Sequence, residues 1–203
     1  MVPPRSRFHG KEDELSTDVL RRVKRRDPAA MDQFFEHYYD RIYAHVVNML
    51  RDPVLGEDLC QDIFLRLHRT VESLDSERSP TGWVFTVATN VVRDHWRSRE
   101  HKRAERELGG DDPARFDVAH PDPGVQAVME KDEELRAVWQ SLHLLSSDDR
   151  EIILLRDYEE LDTETIAAML DLNPDAVRQR HSRAVTRLGK TYRERSDAME
   201  RRR

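Results

Sequence analysis

Arg178, Gln179, Arg180, Arg183 and Arg187 crowd one short stretch of the chain, and their side chains do one kind of chemistry well. Arginine bridges both acceptors on the edge of guanine and glutamine pairs with adenine, while Arg187 and the following Lys190 sit better placed for phosphate. Chemistry of the bond-breaking kind finds no such concentration. The sequence has no His-Glu-x-x-His, no Cys-x-x-Cys, no glycine-rich phosphate loop and no nucleophile elbow. His37, His45 and His68 lack metal-ligand spacing. No catalytic residue, metal or cofactor is therefore expected, and the chain reads as a binding protein rather than an enzyme.

The basic cluster needs a helix to present it, and its neighbours supply one. Asp162 can cap a short helix whose buried side is Ile166 and Leu170, with Ala167 small enough for a second helix to cross closely. Asp171-Leu172 makes a tight turn, and Asn173-Pro174 caps and opens a second helix with Val177, Ala184 and Leu188 inward. Two helices so spaced form a helix-turn-helix, whose second helix stands proud enough to enter a major groove. Asp171 holds a turn position that favours glycine, which aspartate tolerates because it enters the left-handed region readily. His181 falls on the inward stripe and is expected to be partly buried, neutral and engaged in one hydrogen bond.

Strand signals are nearly absent, so the chain is expected to be all-α, with two small helical domains joined by a flexible linker. Asp27-Pro28 starts a helix carrying Met31, Phe34, Phe35, Tyr38, Ile42, Val46 and Met49 at helical spacing. Asp52-Pro53 starts a second with Leu55, Leu59, Ile63 and Leu67, and Ser79-Pro80 a third with Trp83, Val84, Val87 and Val91. Trp83 is expected in the core. With a shorter helix near Asp18 to Arg26 these make the first domain, residues 18–100. Breakers and acids such as Gly109-Gly110 and His120-Pro121 mark residues 101–124 as the linker. Helical spacing resumes at Val125, Val128, Leu135, Val138 and Leu142, and Ser147 with Asp148 and Asp149 is expected to cap the next helix. The second domain spans 125–195. Residues 1–17 are expected to fray, as is the end of the charged tail 196–203, from Met199 to Arg203.

Over a third of the residues are charged and the net charge is −6, which argues against a free-standing DNA binder. Patterning matters more than the average. Between Ser146 and Asp175 acids dominate; between Ala176 and Arg195 arginine and lysine do. That boundary predicts two separate surfaces, one for nucleic acid and one for a basic or neutral partner. No apolar run approaches the roughly 20 residues that span a bilayer, the first ten residues lack the apolar stretch of a secretory signal, and lone Cys60 can make no internal disulfide. A cytoplasmic protein without membrane insertion is expected.

Two segments resemble one family, the extracytoplasmic-function (ECF) sigma factors of the sigma-70 family. Glu57-Asp58-Leu59-Cys60-Gln61-Asp62-Ile63-Phe64-Leu65-Arg66-Leu67-His68 is similar to the family's second region. Trp83 to Asn90, followed by Asp94, Arg97 and Arg99, resembles the segment that reads the minus-ten promoter element. Arg150 to Arg156, then Ile166-Ala167 and Val177 to Arg180, resembles the region that reads the minus-thirty-five element. The resemblance implies that residues 18–100 bind core RNA polymerase and melt the minus-ten element, that 125–195 read the upstream duplex, and that the chain directs transcription initiation. It implies polymerase contacts by Asp58, Gln61, Asp62 and Phe64. It likewise implies minus-ten DNA contacts by Arg78, Asn90, Trp96, Arg97 and Arg99, with a base-capturing pocket in the Ser73 to Gly82 loop. Minus-thirty-five contacts fall to Arg178, Gln179, Arg180, Arg183 and Arg187. An anti-sigma partner that clamps both domains is implied as well. His95 and Trp96, and Ala176 and Gln179, depart from the family's usual residues, so neither promoter preference transfers. The competing reading is a stand-alone helix-turn-helix repressor or activator, which leaves the acidic helix and the Trp83 to Arg99 segment without a task.

Overall fold

A computed structural model describes residues 15–107 and 133–200, with side chains for 15–98 and 136–197. Residues 1–14, most of the expected linker (108–124) and the spacing residues Val125 and Val128 lie outside them. The described residues fall into two compact helical units, with no strand among them.

Among the described residues the first unit has four helices: α1 (Thr17–Lys24), α2 (Pro28–Leu50), α3 (Pro53–Thr70) and α4 (Thr81–Glu107), with a 3-10 turn at Val71–Ser73. Both Asp-Pro starts behave as their chemistry dictates. Asp27 Oδ1 accepts from the Ala30 amide at 3.0 Å and Asp52 Oδ1 from that of Leu55 at 3.1 Å, each with proline opening the helix. The third start differs by one residue: α4 begins at Thr81, and the carbonyl of buried Pro80 accepts from Val84 N–H. Its end differs too. The expected boundary near residue 100 rests on the loss of apolar periodicity, but Arg-, Glu- and Lys-rich sequence has high helix propensity without such a period, and α4 continues to Glu107.

Phe34, Ile42 and Met49 of α2, Ile63 and Leu67 of α3, Leu74, and Phe85 of α4 fill the first core. Gly56 sets its tightest approach, since a Cβ there would lie 2.7 Å from Val47 Cγ2. Trp83, expected in the core, is half-buried: its ring lies 6.4 Å from Phe34 and its Nε1 donates to Ser73 Oγ at 3.1 Å.

The second unit has α5 (Glu133–His143), α6 (Ser147–Ile153) running into a π-helical turn at Leu154–Tyr158, α7 (Thr163–Leu170) and α8 (Pro174–Glu200). Ser146, not Ser147, caps α6, accepting from the Asp149 amide at 3.2 Å. Adjacent serines offer the same oxygen, and the one three residues before the receiving amide takes it. Leu142, Ile152 to Leu155, Ile166, Val177, Ala184 and Leu188 form the core. α8 continues through 196–198 to Met199 and Glu200, where fraying was expected. Arg195 Nη2 reaches Gln140 Oε1 at 2.5 Å just before them. No described helix is long and apolar enough to cross a membrane.

Inside the first core His45 is fully buried, its ring 5.2 Å edge-to-face from Phe85, with no hydrogen-bond partner for either nitrogen among the described residues. Burial pushes its pKa down to about 4. Between about pH 6.5 and 4 the unfolded chain therefore binds a proton that the folded chain does not, so stability falls as pH drops through that window. The loss amounts to about 3 kcal/mol by pH 4. Denaturant melts of the wild type across that range should show this slope, and the His45→Leu variant should flatten it and be no less stable at pH 7.

Candidate nucleic-acid and protein interfaces

The helix-turn-helix forms as its residue types require. Asp162 caps α7, accepting from the Thr165 amide at 2.7 Å and its hydroxyl at 2.8 Å, and these bonds hold its carboxyl below the usual range. Asp171 ends α7 in the left-handed region (φ 54°, ψ 48°), and Asn173 Oδ1 accepts from Ala176 N–H at 2.7 Å to start α8. Val177, Ala184 and Leu188 turn inward, which leaves Arg178, Gln179 and Arg183 exposed on the other face.

The acidic stretch is divided: Glu160, Asp162, Glu164, Asp171 and Asp175 stay exposed, while the acids of α6 and its π-helical turn face the basic helix. α6 and α8 pack against each other, and that packing brings acids onto bases. Asp148 lies 3.5 Å from Arg180, Asp149 2.5 Å from Arg187, and Asp157 on the π-helical turn 2.7 Å from His181 Nε2. Glu151 and Glu159 are buried. Arg178 pairs along its own helix with Asp175 at 2.6 Å. Of the expected upstream DNA contacts, Arg183 is exposed and pairs with no described carboxylate. Arg187, assigned to phosphate, keeps 59% of its side chain exposed while it holds an Asp149 side chain that is only 7% exposed. His181 is 20% exposed with its one Asp157 contact.

On α3, Asp58, Gln61 and Asp62 are all exposed and share a face with Leu65, itself 53% exposed. Phe64 is half-buried beside them. Its ring meets Phe35 edge-on at 5.0 Å and stacks on Tyr39 at 5.9 Å, and Tyr39 stacks on Tyr43 at 6.2 Å. This aromatic row along α2, with Tyr39 nearly half exposed, was not singled out from sequence. Its signal is a second stripe at four-residue spacing, Phe35-Tyr39-Tyr43, beside the buried Phe34-Tyr38-Ile42. Cys60 under the same face is buried, and burial with nearby Glu57 pushes its thiol up to about 12, which makes it a packing residue.

Between α3 and α4 the loop 71–80 is held at several points. Asp75 Oδ1 accepts from the Glu77 amide at 3.0 Å, and Tyr38 Oη lies 3.1 Å from Thr81 Oγ1. Arg78 points outward, 84% exposed, 3.8 Å from Asp75. On α4 the exposed Asn90, Asp94 and Arg97 share one face, with Trp96 half-buried nearby. Asp94 joins two arginines, Arg97 at 3.2 Å and Arg66 of α3 at 3.0 Å, so Arg66 adds a cation to this face that sequence reading did not assign. The side chain of Arg99 lies outside the described residues. No metal-binding cluster occurs among the described residues.

Residues 34–102 match the family model for sigma-70 region 2, and residues 135–188 that for sigma-70, region 4. The chain is 30% identical over 181 residues to the ECF RNA polymerase sigma factor SigK of Mycobacterium tuberculosis, covering 86% of this chain and 93% of that protein. It is 25% identical over 174 residues to the RNA polymerase sigma-H factor of Pseudomonas aeruginosa, covering 84% and 90%. In fold it is similar to the sigma factor RpoE of Bartonella quintana, solved with the anti-sigma factor NepR. The TM-score there is 0.62 at 20% identity, over 80% of this chain and 96% of that one. CnrH, solved with the cytosolic domain of CnrY, gives 0.61 at 19% identity over 86% and 95%.

The Asp149–Arg187 pair should show itself as a coupling energy. Asp149→Ala is expected to cost about 1–2 kcal/mol of stability in the second unit. Arg187→Ala should cost a similar amount and the double substitution little more than either alone, measured by denaturant unfolding of all four proteins.

Proposed function

The chain belongs to the ECF RNA polymerase sigma factors of the sigma-70 family, and from that premise we propose how its surfaces share the work of promoter recognition and transcription initiation. As a sigma factor it binds core RNA polymerase and promoter DNA and contributes no catalysis of its own. Two regions of the family, matched in chain order on two separately folded helical units, carry this conclusion. They give the first unit a task that a stand-alone repressor or activator lacks.

In the proposed division, Asp58, Gln61 and Asp62 dock on core polymerase. Phe64, Tyr39 and exposed Leu65 supply apolar area beside the charges, the mixture that a partly desolvated interface uses. Opening a duplex costs stacking energy, so the melted minus-ten strand needs a pocket with cations at its rim. The loop from Ser73 to Gly82 with Arg78 is the proposed pocket; Asn90, Trp96, Arg97 and Arg99 continue the track along α4, with Arg66 beside Arg97. On α8, exposed Arg178, Gln179 and Arg183 face the bases of the upstream duplex, and Arg180 and Arg187 its backbone. Residues 18–100 and 125–195 are the proposed working domains. The cytoplasm, where polymerase works, is the proposed location.

An anti-sigma partner belongs to the same proposal. Two solved proteins of this fold were captured with a second protein, one of them named an anti-sigma factor. Affinity capture from cells under non-inducing conditions should recover such a partner besides polymerase subunits; recovery of polymerase alone would count against it.

In vitro transcription from a genomic library with core polymerase, with and without this protein, tests the function directly: new start sites should appear only with both. Asp58→Lys combined with Asp62→Lys should weaken core binding by about tenfold or more at moderate salt, read by fluorescence anisotropy. Arg183→Ala should leave core binding intact and cost the holoenzyme about 1–3 kcal/mol on the upstream duplex.

A further inference from the structure

We propose that α1 is a brace that sets the shape of the loop 71–80 and so tunes minus-ten recognition, with Arg26 and Arg21 as its positioning residues; this rests on the reading of that loop as the base-capturing pocket. The family match begins at residue 34, so α1 lies outside it.

Arg26 follows α1 in the left-handed region (φ 60°), a conformation that a non-glycine residue keeps only where its surroundings impose it. Its guanidinium closes the far end of α3. Nη1 donates to the His68 carbonyl at 2.9 Å, and Nη2 to the Arg69 carbonyl and to Glu72 Oε1, both at 3.3 Å. The last carbonyls of a helix lack intrahelical donors and carry negative partial charge, so a fork-shaped cation satisfies them in both respects. The loop starts there. Ser73 Oγ donates to the Thr70 carbonyl at 2.7 Å and accepts from Trp83 Nε1, which ties the same helix end to the first turn of α4.

Arg21 holds the other part of the loop. Its Nε and Nη2 both donate to Glu77 Oε1, at 3.2 and 3.0 Å, immediately before outward-pointing Arg78. Leu20 and Val23, both buried, anchor the segment that carries these two arginines. Two side chains of one short segment thus grip the loop near its start and near its tip. An exposed ion pair such as Arg21–Glu77 adds little to stability, so its effect falls on where Glu77 and Arg78 stand.

The test uses full-length protein reconstituted with core polymerase, a labelled single-stranded oligonucleotide carrying the minus-ten sequence, and base-substituted versions of it. Arg26→Ala and Arg21→Glu should each weaken oligonucleotide binding by about fivefold, the cost of re-ordering a freed loop side chain. They should also flatten the base preference and leave core binding and upstream-duplex binding within about twofold. Arg26→Lys, a point charge in place of a fork, should not rescue, whereas Arg21→Glu combined with Glu77→Arg should restore both affinity and preference. Unchanged strand binding in the single variants would overturn the brace, as would a parallel loss of core and duplex binding, or a charge swap without rescue. Arg78→Ala separates the two readings. If it alters base preference while the α1 variants do not, only the brace fails; if it too has no effect, the loop is not the pocket and both fall.

Discussion

No described helix stands by itself: each buries an apolar stripe over part of its length, and a polar helix is marginal in water until that stripe finds a partner. The stripes therefore decide everything else. Phe34, Tyr38 and Ile42 on α2, Leu59, Ile63 and Leu67 on α3, and Val84, Phe85 and Ala88 on α4 must face one another. Gly56 lets the first two helices close to contact at Val47. Once that seam is fixed, the residues outside it have no freedom of place. Asp58, Gln61 and Asp62 stand together on one side of α3 because Leu59 and Ile63 are committed to the other, and Asn90, Asp94 and Arg97 share a face of α4 for the same reason.

The second unit adds a constraint of charge. α8 carries a dense row of cations, and like charges on one helix repel unless something answers them. Asp148 and Asp149 answer from α6. A phosphate or base approaching α8 must then compete with carboxylates already in place, and a net charge of −6 repels the duplex at longer range. Such a module is expected to bind DNA weakly by itself. Tethered to a polymerase that already holds the promoter, it meets its element at high effective concentration, and weak contact suffices. The acidity that speaks against a free-standing DNA binder thus fits a polymerase subunit.

Local chemistry was the legible part of the sequence. Asp27-Pro28, Asp52-Pro53, Asp162 and Asn173-Pro174 start helices through bonds that span three residues, and Asp171 turns left-handed through its own short side chain. What depends on distant residues was not legible. Where Asp148, Asp149 and Asp157 turn was hidden because a charge boundary in sequence carries no information about which helix packs across it. The aromatic row Phe35-Tyr39-Tyr43 and the Arg66–Asp94–Arg97 link join helices far apart in sequence. The length of α4 escaped for the opposite reason: its last turns follow propensity and leave no apolar period to detect. The roles of the exposed residues came from resemblance and charge, since a solvent-facing arginine has the same local signature whether it meets DNA or water.

Sharp turns reinforce the argument for preset faces. The chain has only seven glycines, and four of its described helical segments are followed by a non-glycine residue in the left-handed region: Arg26, Arg51, Glu160 and Asp171. A side chain at such a position costs roughly 1–3 kcal/mol where glycine costs almost nothing, and persists only when the surrounding packing over-determines it. It also leaves the connection fewer alternative conformations than glycine allows. Each unit therefore has stiff corners as well as a committed core, so its outward residues are fixed relative to one another before any partner arrives. For the proposed capture of unpaired bases that economy is a gain: the entropy of ordering the contact surface is spent during folding, and little of it remains to be subtracted from the binding of a strand that is itself expensive to open.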